Sequence, residues 1–72
     1  MNFENVSSAL MLVFDTLRED DDQDSIEIIE MIDTAPGDFA IKEGLKRAVV
    51  RLDVVNPEVA NKVRELAKGF AF

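Results

Sequence analysis

Apolar residues return along this chain at intervals of three and four, and residues that stop helices interrupt the pattern three times. Phe3, Val6, Leu10, Val13, Phe14 and Leu17 fall within an arc of about 100° at the helical advance, which predicts an amphipathic helix over 3–17. Asn2 stands where an N-cap belongs, with Glu4 in the first turn. Met11, Leu12 and Asp15 lie off that stripe, so this helix is expected either to pack on more than one side or to lend apolar side chains to an interface. Clustered carboxylates repel one another and favour caps and turns, so 19–24 reads as a loop. A second helix over 25–33 follows, with Asp24 and Glu27 at capping-box spacing. Its buried side is expected to be Ile26, Ile29 and Ile32, with Ile28 at the margin.

Thr34-Ala35-Pro36-Gly37 is a turn, because proline and glycine together end regular structure. Asp38 then caps a helix over 39–55 that buries Ile41, Leu45, Ala48, Val49, Leu52 and Val55. Gly44 inside it costs roughly 1 kcal/mol relative to alanine, and is expected either to allow a close helix crossing or simply to be tolerated. Asn56-Pro57-Glu58 places an N-cap, a first-turn proline and a first-turn acid in succession, and so starts a helix over 57–68. Val59, Val63, Leu66 and Phe70 line its inner face, flanked by Ala60 and Ala67, and Gly69 is placed to cap it. Phe70-Ala71-Phe72 is expected to fold back onto the core. Together these segments predict one all-α domain over 1–72, a small bundle of about four short helices.

Composition narrows the chemistry more than the fold. The chain has 72 residues, with no cysteine and no histidine. Disulfides and thiolate metal sites are therefore absent, and the usual neutral-pH general base is missing. Ser7 and Ser8 have no histidine to activate them, and no glycine-rich phosphate loop is present. Catalysis is not expected, nor is any cofactor. The longest apolar run, Ala9 to Phe14, is far below the ~20 residues of a membrane span, and no cationic leader opens the chain. A cytoplasmic protein that does not enter membranes is the expectation.

Net charge is −7, unevenly divided. Residues 1–38 hold eleven acids against one base, and residues 39–72 hold four acids against seven bases. The acidic stretch, Asp15, Glu19, Asp20, Asp21, Asp22, Asp24, Glu27, Glu30 and Asp33, predicts a surface that engages a basic patch on another protein. Met11, Leu12 and Met31 are candidate apolar anchors beside it. Carboxylates could equally stand in for phosphates, so mimicry of nucleic acid belongs to the same expectation. The bases of 39–68 (Lys42, Lys46, Arg47, Arg51, Lys62, Arg64 and Lys68) raise nucleic-acid binding as an alternative. The overall negative charge opposes it. A small core and the wide apolar surface of the first helix make a homodimer or larger self-assembly a further expectation.

Two local resemblances add candidate sites. From Glu19, a twelve-residue window puts Asp21 at position 3, Gln23 at 5 and Glu30 at 12, and so resembles an EF-hand loop. That resemblance implies calcium held by Glu19, Asp21, Gln23 and Glu30. Over nine residues, Asp24-Ser25-Ile26-Glu27-Ile28-Ile29-Glu30-Met31-Ile32 resembles the Asp-Ser-Leu segment of acyl carrier proteins. It implies Ser25 as the attachment site of phosphopantetheine, with Glu27 and Glu30 as docking acids.

Overall fold

The computed structural model describes residues 3–72 as four α-helices joined by short turns, with no strand among them. They are α1 (Phe3–Asp20), α2 (Gln23–Asp33), α3 (Asp38–Val55) and α4 (Pro57–Leu66). The expected Asn2 cap lies outside the described residues. α1 and α3 pack on each other and each touches α2 and α4, whereas α2 and α4 do not meet. The bundle is therefore a central pair with one helix on each flank. All four helices feed one apolar cluster, built around Leu17, Leu45, Leu52, Val13 and Val63. Among the described residues, no helix is long and apolar enough to cross a membrane.

Alanines fill the middle of this core. Ala9 of α1, Ala48 of α3, Ala60 of α4 and Ala67, which follows α4, are all fully buried. Small side chains let helix axes approach, so the buried stripe of α1 runs through Val6, Ala9, Val13 and Leu17. Leu10 and Phe14, expected in that stripe, are half-buried at its edge. Phe3, also expected there, is 78% exposed because it stands in the first turn, at the edge of the packed surface. In α4 the same holds: Ala60 and Val63 are buried, and Val59 and Leu66 flank them.

The turn between α1 and α2 is shorter than the acidic sequence implies. α1 continues through Asp20 and α2 begins at Gln23, leaving only Asp21 and Asp22 between them. Asp21 takes a left-handed conformation (φ 52°), which aspartate tolerates better than most residues. Asp22, in extended conformation, caps α2 by accepting from the Asp24 N–H at 3.0 Å. The expected Asp24–Glu27 capping box therefore does not form; Asp24 is inside the helix. Starting earlier also brings a different face inward. Ser25, Ile28 and Ile32 are buried, Ile29 is marginal, and Ile26, expected in the core, is 37% exposed.

Gly37, not Asp38, is the N-cap of α3, and it supplies no side-chain bond; Asp38 sits in the first turn, where a negative charge complements the helix dipole. Ile41 and Val55, expected in the buried face, are half-buried near its two ends, and Gly44 joins Leu45, Ala48, Val49 and Leu52 inside. Gly44 is a point of close approach: a Cβ built there would lie 2.5 Å from Cγ1 of Ile32 on α2. At the start of α4, Asn56 accepts from the Val59 N–H at 3.3 Å, with Pro57 at the first position as expected. The helix ends at Leu66, two residues early, and the chain turns through Gly69 at φ 87°. Phe70 and Ala71 pack against the core, while Phe72 stays 41% exposed.

Candidate partner-binding surface

The acidic turn is organised by one arginine from the opposite half of the chain. Arg51 on α3 donates from Nε (3.2 Å) and Nη2 (2.8 Å) to Oδ2 of Asp20, and its Nη2 lies 3.6 Å from Asp22. The buried Ser25 hydroxyl donates to the same Asp20 oxygen at 2.6 Å. Three helices thus meet at a single carboxylate oxygen. The Ser25 hydrogen bond, followed by the Arg51 bonds, holds the Asp20 carboxyl below its ordinary value of 3.8. Arg51 is in turn held more firmly protonated by Asp20, with Asp22 and Asp24 adding attraction. This neutralisation is why α1 can continue through residues whose carboxylates would otherwise repel.

Of the acids expected to form a partner surface, Asp15, Glu19, Asp21, Asp22, Asp24, Glu27, Glu30 and Asp33 are all exposed. Asp20 differs, being half-buried and committed to Arg51 and Ser25. Met11 is 64% exposed, whereas Leu12 is half-buried against the core and Met31 is half-buried on α2. Ser25 is fully buried with its hydroxyl already donated. An attachment serine has to present that oxygen to a modifying enzyme, so the implied role of Ser25 does not fit its setting. A calcium loop does not form either. Gln23 to Glu30 is helical, and no group of three or more acids among the described residues could hold a metal ion.

Several bases of the second half are engaged locally. Arg64 makes a paired contact with Asp53 (Nη1–Oδ1 2.9 Å, Nη2–Oδ2 2.6 Å), which lowers the Asp53 pKa, and it also reaches Asn61. Lys46 pairs with Glu43 at 3.4 Å, and the Lys42 ammonium sits 5.3 Å from the centre of the Phe70 ring. The bases do not form one stripe that could track a phosphate backbone.

An open groove of about 440 Å³ runs between α2 and α3. Asp24 and Glu27 stand on its α2 side, with Ile28 below, and Arg47, Val50, Arg51 and Val54 form its α3 side. Val50 and Val54 are 68% and 75% exposed, the largest exposed aliphatic side chains of the second half. The sequence pattern carried a signal for this exposure: both valines fall off the core stripe of α3, one turn apart. A smaller hollow of about 160 Å³ lies among Phe3, Val6, Leu10, Ile41 and Phe70. Compared with known proteins, the chain matches no family model, no curated protein and no solved structure.

Proposed function

We propose that this chain is a non-catalytic protein-binding module whose acidic turn and α2 surface engage a basic surface on a larger protein. One observation carries the reading. Eight carboxylates from the end of α1, the turn and α2 remain exposed, and among these only Asp22 lies within ion-pair distance of a base. A fold that needed only solubility could have scattered them; here they share one end and one flank of the bundle. Such a surface accelerates encounter with a positively charged partner and rejects negative ones.

The test neutralises acids that take no part in capping, in the Arg51 cluster or in the α2–α3 groove: Glu19→Gln, Asp21→Asn, Glu30→Gln and Asp33→Asn together. Asparagine tolerates the left-handed conformation at 21, so the helical signal should be kept. Association with a captured partner should slow by about tenfold or more at low salt, and its salt dependence should flatten. Unchanged capture with unchanged salt dependence rejects the proposal. Displacement of the captured protein by DNA or RNA would place the carboxylates in the role of phosphates.

A further inference from the structure

The α2–α3 groove has two walls of opposite sign, and on them Glu27 and Arg47 take part in no ion pair among the described residues. Arg51 is turned toward Asp20 and Asp22, and none of the ion pairs among the described residues joins Asp24 or Glu27 to Arg47. On the α3 wall, beside Arg47, Val50 and Val54 stand exposed one turn apart. Two adjacent exposed apolar side chains beside charged walls fit an interaction surface.

We propose that a second copy of this chain covers the groove, related by a twofold axis that runs along it. The charge pattern selects the axis. Rotation about a line parallel to the groove lays α2 of one copy over α3 of the other at the same height. Asp24 and Glu27 then face Arg47 of the second copy twice over, and Val50 and Val54 of each copy pack against the α2 wall of the other, over Ile28. Rotation about a line across the groove would instead set acid wall against acid wall. The apolar strip supplies the contact and the walls supply the register, which is the self-complementarity a twofold interface requires. A stable interface covers about 800 Å² on each copy, roughly a sixth of the 4598 Å² surface of this chain. A chain this short also gains from a second subunit, since its own core is small. The proposal uses the groove walls alone and is independent of the acids tested above.

Sedimentation velocity of the full chain over a concentration series decides it. The expected result is a dimer that Val50→Asp with Val54→Asp converts to a folded monomer, with the helical dichroism unchanged because both valines are exposed. Arg47→Glu and Glu27→Lys should each weaken dimerisation by about tenfold or more, through like charges facing each other twice. The double variant Arg47→Glu/Glu27→Lys, and an equimolar mixture of the two single variants, should both recover it. A wild-type chain that stays monomeric throughout overturns the proposal. So does a dimer that survives the valine variant, or a double variant no better than the singles.

Discussion

Asp20 joins three helices through one carboxylate oxygen, and its titration should be visible in stability. The Ser25 hydroxyl first, and the Arg51 guanidinium second, favour the ionised form, so the folded-state pKa lies below the ordinary 3.8. Asp53, held by Arg64, behaves alike. The unfolded chain therefore takes up these protons at a higher pH than the folded one. The stabilisation is complete above the unfolded value and is lost as pH falls through the folded one. Urea midpoints should be level above about pH 5 and drop below about pH 4. In Ser25→Ala the largest cause of the Asp20 shift is gone, so its carboxyl pKa, followed by NMR, should move up and the acid loss from this site should shrink. An unmoved Asp20 titration in that variant would remove Ser25 from the account.

At the scale of elements, the four helices were legible because each is bounded by residues that act locally: Pro36-Gly37, Asn56-Pro57 and Gly69. The α1–α2 boundary was not legible from neighbours alone. Asp20 remains helical because Arg51, 31 residues away, neutralises it. No window of sequence contains both. The error propagated, since a helix that starts at Gln23 with Asp22 as its cap buries Ser25 and Ile28 in place of Ile26. The crossing of α2 and α3 was foreshadowed by Gly44. Gly44→Ala gains helix propensity of about 1 kcal/mol but drives a methyl into Ile32, a buried and β-branched side chain with little room to yield. A net loss of about 1–2 kcal/mol is expected in chemical denaturation. Combined with Ile32→Ala, the added cost of the methyl should vanish, so the two substitutions should be less than additive.

Taken as a whole, the molecule is thin, with Cα extents of 31 × 27 × 16 Å, and its core is a single cluster without reserve. Leu52 is fully buried in that cluster, and its truncation should cost about 2–5 kcal/mol. A chain of this length has only about 3–5 kcal/mol to lose. Leu52→Ala should therefore lose most of its cooperative helical transition at 25 °C, as followed by circular dichroism. The excess of acid in one half of the chain could be read directly from the sequence, and the exposure of eight of those acids agrees with it. The α2–α3 groove could not, because its walls become neighbours only after α2 is rotated to bury Ile28.

Arg51 closes the acidic turn from one side and walls the groove from the other. Those two duties draw on the same guanidinium. Lysine could reach Asp20 with a point charge but could not reproduce the donation from both Nε and Nη2. Sequence drift at this position is thus constrained by folding, and a second copy over the proposed groove interface would constrain it again. Arg47, which makes no ion pair among the described residues, would change only in step with Asp24 and Glu27 across that interface. The fold and the interface would then diversify at different speeds, with position 51 as the slow coordinate and position 47 as the fast one.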